Sequence, residues 1–282
     1  MFNSKLLFLT LILCIAIEES VAMCRNDPNA EPGGCGGYCG QRCVPRPCTL
    51  ECEFNGCKCK EGYRYDADVS KCVLPHQCSQ RAAIAQLVGS QIDNYITDTQ
   101  LLSRGHLAAK TDFVFAFGER ATFHYVNCAP QWTGFNGGNW NTLEVDLRNH
   151  IHYSGYDTII YTGTYGVTQL FNQYGQRLDI YLTTDINDNP VIPVPQYFYK
   201  VVYEPSTQRG IAFVGLNNPY YTRAEAHDLF FCEDFCRGNR DFLWLTWHPD
   251  NPAEGYTFCC SIPDFRNTVH HLPQFEVTSI LI

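Results

Sequence analysis

Ten cysteines fall between Cys24 and Cys78: Cys24, Cys35, Cys39, Cys43, Cys48, Cys52, Cys57, Cys59, Cys72 and Cys78. The stretch is rich in Gly and Pro and poor in large aliphatics. So short a segment cannot bury enough apolar area to hold itself, so cross-links must do so. Ten cysteines suit five bridges and a rigid module of short strands and loops. Spacing alone does not choose among the pairings. Such cysteine density implies an oxidising compartment, and the N-terminus agrees. Lys5 precedes an apolar run from Leu6 to Ile17, and Ser20-Val21-Ala22 gives a small-x-small triplet. Residues 1–22 therefore read as a signal peptide cleaved after Ala22. Its apolar core is too short to span a bilayer, and no later run is long enough. The expectation is a secreted, extracellular chain with no membrane span.

Of the 16 cysteines, Cys14 leaves with the signal. Outside the module lie Cys128, Cys232, Cys236, Cys259 and Cys260. An odd remainder leaves one thiol unpaired or paired between chains, and Cys128 is the candidate. Cys232-x-x-x-Cys236 and Cys259-Cys260 could suggest zinc, but in an exported chain two disulfides clasping the C-terminal region are expected. Which cysteine pairs with which is open.

Composition changes abruptly near Gln80, dividing residues 23–79 from residues 80–282. Ile84, Leu87, Val88, Ile92 and Ile96 recur at helical spacing and predict a helix over 81–96. Asn139 to Ile151 predicts a second helix, with Trp140, Leu143, Leu147 and Ile151 along one face and Asn139 as cap. Strands are predicted at 122–126, 158–162, 178–183, 196–203 and 210–216 from aromatic and β-branched content. The fold class is α+β: a small disulfide-rich module, then a mixed or antiparallel sheet with flanking helices. Formal net charge is −9. Residues 23–80 carry seven basic and seven acidic side chains, and residues 81–282 carry twelve and twenty. That excess argues against a passive nucleic-acid binder, which needs a basic surface. It leaves room for an enzyme that needs positive charge only locally and can import it as a metal ion.

Two stretches in the larger part carry chemistry. One is Ser103-Arg104-Gly105-His106. The other runs Asn127-Cys128-Ala129-Pro130-Gln131, then Asn136-Gly137-Gly138-Asn139-Trp140-Asn141-Thr142-Leu143-Glu144, and ends at Arg148. In order and spacing they resemble the DNA/RNA non-specific endonucleases with a ββα-metal site. Ile192–Pro195 and Phe213–Pro219 look like later blocks of secreted arthropod members, and the resemblance runs from about Ala82 to the C-terminus. It implies a metal-dependent endonuclease that hydrolyses DNA and RNA without sequence specificity and leaves 5′-phosphates. The chemistry needs an activated water, a cation on the developing charge and a stabilised leaving oxygen. Histidine can take a proton near neutral pH. Mg²⁺ (or Mn²⁺) keeps several waters and needs few protein oxygens. The resemblance implies His106 as general base and Asn136 as direct metal ligand. It gives Asn127 a role in positioning substrate or base, Glu144 the hold on a metal-bound water, and Arg104 and Arg148 the phosphate charge.

Blander readings stand beside these. Asn136 before two glycines also fits a turn. Glu144 and Arg148, four apart on a helix, also fit a surface salt bridge. Trp140 reads as core rather than a base-stacking platform. His150, His152, His270 and His271 read as surface or structural. Ser103 stands where the family has aspartate, which bears on support of the arginine. About 25 residues separate Cys78 from Arg104, so the nuclease-like domain reads as N-terminally shortened.

The module's spacing resembles trypsin-inhibitor-like cysteine-rich domains. That resemblance implies the pairs Cys24–Cys57, Cys35–Cys52, Cys39–Cys48, Cys43–Cys78 and Cys59–Cys72. It also implies a protease-binding loop, Cys48-Thr49-Leu50-Glu51-Cys52, with Leu50 facing a chymotrypsin- or elastase-like serine protease and Glu51 after the bond. The alternative function is therefore a serine-protease inhibitor module fused to a catalytically impaired nuclease-like domain.

Overall fold

A computed structural model describes residues 24, 27–32, 57–66, 70–74, 80–97, 99–185, 187 and 189–282. The chain forms two compact units: Met1–Ile92 with Leu182–Val191, and Asp93–Tyr181 with Ile192–Ile282.

In the first unit β1 (Ala30–Pro32) pairs antiparallel with β2 (Cys57–Cys59), and β3 (Arg64–Asp66) pairs with β4 (Lys71–Val73). These strands are too short to persist alone. Disulfides Cys24–Cys57 and Cys59–Cys72 tie them together. The sulfurs make a small core with Ala30, against which Tyr63 and Tyr65 pack. Asp27 accepts the backbone N–H of Cys72, and the Asn29 amide donates to the Cys72 carbonyl. The other three implied bridges, the loop with Leu50 and Glu51, and the leader segment lie outside the described residues.

Helix α1 covers Gln80–Val88. The helix expected over 81–96 is interrupted: Gly89 takes a left-handed φ of 63°, which ends an α-helix. A 3₁₀ turn at Gly89–Gln91 and a helical turn at Ile92–Tyr95 follow.

In the second unit β5 (Leu102–His106) runs to a short helix, α2 (Ala116–Ala121), and returns as β6 (Cys128–Trp132), antiparallel to β5. The strand expected at 122–126 is instead turns and the start of a 3₁₀ turn, Tyr125–Asn127. Its aromatic content misled because such residues favour strands only where a neighbouring surface covers them. Here Tyr125 is 80% exposed and Val126 93%. Helix α3 (Asn141–Ser154) buries Leu143 and Leu147 and ends at Gly155, which is left-handed. Asn139 is not its cap. It lies inside a preceding turn of π-helix, Asn136–Trp140, fully buried. Its amide donates to the carbonyls of His248 and Gly255 and accepts from the His248 N–H.

Downstream come β7 (Ile159–Tyr165), β8 (Gln169–Phe171), β9 (Arg177–Asp179), β10 (Tyr181–Thr184) and β11 (Pro190–Pro193). Then follow β12 (Tyr197–Glu204), β13 (Arg209–Leu216), α4 (Arg223–Asp228), β14 (Thr257–Cys260), α5 (Ile262–Arg266) and β15 (Ser279–Ile280). The strand expected at 178–183 breaks at Ile180. That residue is buried, donates its N–H to Thr168 and accepts from Val194.

The main sheet runs β14-β13-β12-β7, all antiparallel, with β15 parallel to β13. Every residue of β12 is buried, so both faces are covered. Tyr197, Tyr199 and Val201 face a core with Val214, Phe258, Ile262 and Phe265. On the opposite face Phe198 meets Phe135 and Trp140, so the β5–β6–α3 unit lies there. Burial of each such aromatic contributes roughly 1.5–3 kcal/mol. Asn217, just after β13, staples β6 to this sheet: it accepts the Trp132 N–H and donates to the carbonyls of Pro130 and Pro195. Disulfides Cys232–Cys260 and Cys236–Cys259 clasp β14 to the loop before it.

Candidate active site

The β5–β6 hairpin and α3 carry the motif residues. Register sets His106 opposite Cys128 and Arg104 opposite Pro130. Close pairing here needs Gly105, because a Cβ would lie 2.6 Å from the Gln131 Cβ. The His106 ring packs edge-on to Phe123 at 4.8 Å, and its Nε2 is buried with no partner among the described residues. Burial, and next the Arg104 guanidinium, hold its pKa below the ordinary imidazole value. The ring is therefore neutral near pH 7, as a proton acceptor must be.

Asn127 spends its whole amide on backbone. It donates to the carbonyls of Ala108 and Thr122 and accepts from the Ala108 N–H, while its own carbonyl takes the Leu107 N–H. It thereby fixes the chain leaving His106. Asn136 donates its amide N–H to the Ser103 hydroxyl at 3.0 Å, and Ser103 donates to the Gln131 carbonyl. Ser103 thus supports Asn136 rather than the arginine. Among the described residues nothing donates to Asn136 Oδ1. An amide oxygen oriented by its own N–H and left open suits a hard cation that needs few protein ligands.

Glu144 Oε1 lies 3.2 Å from Lys200 Nζ, and the two side chains are 16% and 3% exposed. Burial pushes the Glu144 carboxyl up, and Lys200 opposes that shift. Lys200 also donates to the Leu107 carbonyl at 3.0 Å and lies 5.5 Å from the Trp140 ring centroid. One buried ammonium thus joins the carboxylate on α3 to the backbone next to His106. Arg148 does not pair with Glu144. Its Nε and Nη2 bind Asp112 Oδ1, and Nη2 also donates to Thr111. Arg104 has no carboxylate partner among the described residues and lies 5.7 Å from the Tyr125 ring centroid.

A hydrogen bond therefore connects Ser103 to Asn136, and Lys200 links Leu107 to Glu144 by a hydrogen bond to the one and an ion pair with the other. Two separate links thus tie the β5 segment to the turn that carries Asn136 and to the Glu144 of α3. Motif reading missed Lys200. The available signal was a lysine within Tyr197-Phe198-Tyr199-Lys200-Val201-Val202, since lysine is almost never fully buried unless paired.

Other candidates take structural places. Trp140 is 1% exposed. His150 stacks on Trp244 at 4.1 Å, and His271 bonds the Tyr199 hydroxyl. Cys128 is unpaired, and burial raises its thiol pKa against the pull of Arg104. Ligand atoms of Asp234, Cys236 and Cys259 lie within 4.8 Å of one another, but those two sulfurs are bonded to each other.

The DNA/RNA non-specific endonuclease profile matches residues 72–265, most of the chain. The chain belongs to that family. Among curated relatives it is 34% identical over 174 residues to the "Salivary endonuclease" of Lutzomyia longipalpis, covering 60% of this chain and 39% of that protein. It is 28% identical over 195 residues to "Salivary protein Tsal1" of Glossina morsitans morsitans, covering 66% and 45%. The chain thus spans less than half the length of these salivary relatives. It is also 35% identical over 78 residues to the "Chymotrypsin inhibitor" of Araneus ventricosus, 26% of this chain and 90% of that protein. Among the described residues no helix is long and apolar enough to cross a membrane.

Proposed function

We propose that this member of the endonuclease family is a secreted, metal-dependent nuclease that cuts DNA and RNA without sequence preference and leaves 5′-phosphates. The observation that carries the reading is the buried Lys200, which ties the Glu144 carboxylate on α3 to the backbone carbonyl next to His106. The His106 imidazole accepts the proton of the attacking water. Asn136 Oδ1 would hold Mg²⁺ or Mn²⁺, with Glu144 gripping a water of the ion. When bound, that ion supplies charge stabilisation at the phosphate and leaving oxygen. Asn127 keeps the segment after His106 in place, serving the base rather than the substrate. Arg104 meets phosphate, and Arg148 offers Nη1, which its bonds to Asp112 and Thr111 leave over. Contacts of this kind reach backbone phosphate and carry no sequence information.

Purified protein should cut plasmid and double-stranded RNA in Mg²⁺ or Mn²⁺ and stop on chelation, and His106→Ala should abolish cutting. No cutting in either ion, or full activity of His106→Ala, overturns the reading. Products that ligase joins without prior kinase treatment would bear out the 5′-phosphate.

The likeness to the Araneus inhibitor favours a second role, serine-protease inhibition by residues 23–79, with Leu50 in the primary pocket and Glu51 beyond the bond. A loop clamped between cysteines is pre-organised and binds at reduced entropic cost. The secreted chain should inhibit chymotrypsin or elastase and lose this on Leu50→Asp. Inhibition without any nuclease activity would make the cysteine module the functional part and the nuclease-like domain its impaired companion.

A further inference from the structure

Of the seven large apolar side chains more than three-quarters exposed among the described residues, four lie between Phe113 and Val126: Val114, Phe117, Tyr125 and Val126. Exposed apolar area concentrated in this way marks a binding surface. The segment leaves the site at His106 and returns at Cys128, its partner in register. It is also anchored. Asn127 ties its two ends, Arg148 binds Asp112, and Lys110 pairs with Glu119 at 3.6 Å. Phe115 and Phe117 lie parallel, 8° apart with centroids at 5.7 Å. Tyr125 lies against the Arg104 guanidinium, and Phe123 touches the His106 ring.

We propose that this segment is a base-stacking platform, with Phe117 and Tyr125 as its rings, that makes single-stranded nucleic acid the favoured substrate of the adjoining site. The occupant follows from the company Tyr125 keeps. Arg104, without a carboxylate partner among the described residues, takes a phosphate, and the ring beside it takes the attached base. Aromatic faces next to a cation are how single strands are gripped without regard to sequence. A duplex hides its base faces in its own stack, so only a single strand or a frayed end can use the platform. The inference rests on the nuclease reading for its substrate, but it can be tested by binding alone.

The full chain, held in chelator so that nothing is cut, is titrated into a labelled dodecamer of thymidylate and into an abasic strand of equal length. The dodecamer should bind at least fivefold more tightly. Phe117→Ala and Tyr125→Ala should each weaken dodecamer binding about 5- to 30-fold and leave abasic binding within about twofold. Tyr125→Phe, which keeps the ring, should bind as the parent does, and circular dichroism checks each fold. Equal binding of the two strands, or equal losses on both, overturns the proposal. So does unchanged dodecamer binding in an alanine variant that instead loses sedimentation with phosphatidylserine vesicles or loses self-association. Base-dependent binding without plasmid cutting would keep the platform and remove the nuclease reading; cutting without base dependence would do the reverse.

Discussion

Lys200 is the residue whose removal should be felt most widely. Its ammonium is buried, it is the cation beside Glu144, and it holds the Leu107 carbonyl. Removing one partner of a buried pair leaves an uncompensated charge and costs about 3–5 kcal/mol. Lys200→Met should therefore lower unfolding free energy by about that much in urea. The double variant Lys200→Met/Glu144→Gln should recover a large part of the loss, since neither charge then remains. Additive losses would mean the two do not interact. His106 gives a second test at this scale. A lowered pKa keeps the imidazole unprotonated to lower pH, so kcat/KM should fall only below the ordinary value of about 6.5. Arg104 is the second cause of that lowering. Arg104→Gln should therefore move the acidic limb upward, whatever it does to the plateau. A limb that stays put or moves down would show that Arg104 does not set it.

Among elements, the turn leading into α3 offers a matched pair. Gly137 and Gly138 are adjacent in the π-helical segment, and neither has a positive φ. A Cβ on Gly137 meets nothing within 4 Å, whereas one on Gly138 falls 2.8 Å from the backbone Cα of Glu254. Gly137→Ala should be neutral or stabilising by up to about 1 kcal/mol, through the unfolded chain. Gly138→Ala should destabilise by about 1–3 kcal/mol and lower activity, because Asn136 and Glu144 flank the turn. Thermal melts and plasmid assays of the two read this directly. Such clashes are invisible in sequence, where both glycines look alike. What was legible is the periodic and the local: α3 with its buried stripe, the two long central strands, and the order of the motif around His106 and Asn136. What was not legible depends on distant partners. The aromatic run at 122–126 has strand composition but no covering neighbour. Asn139 looks like a cap but is drawn to the carbonyls of His248 and Gly255. Lys200 lies far along the chain from the Glu144 that explains it.

At the scale of the whole molecule, the disulfides among the described residues lie towards the two ends of the chain, while Cys128 beside the site stays unpaired. Disulfides Cys232–Cys260 and Cys236–Cys259 close overlapping loops with sequence separations of 28 and 23. Loop closure puts each near 3.5 kcal/mol, and the overlap makes the second worth less once the first is formed. Both end on β14, which pairs with β13, and Asn217 just after β13 staples the β6 strand of the site. Losing either bridge should therefore loosen the sheet edge first and the site only through it. Cys236→Ala/Cys259→Ala should lower stability by about 2–4 kcal/mol, a fall in Tm of about 5–15 °C for a domain of this size. Activity per folded molecule should be nearly kept well below the new Tm. Cys128→Ser should move Tm little, since the thiol's one described bond is a weak contact to the Thr122 carbonyl at 3.7 Å. If the bridge variant lost activity at temperatures where its near-ultraviolet circular dichroism is unchanged, β14 would be coupled to the candidate site more tightly than the Asn217 staple implies.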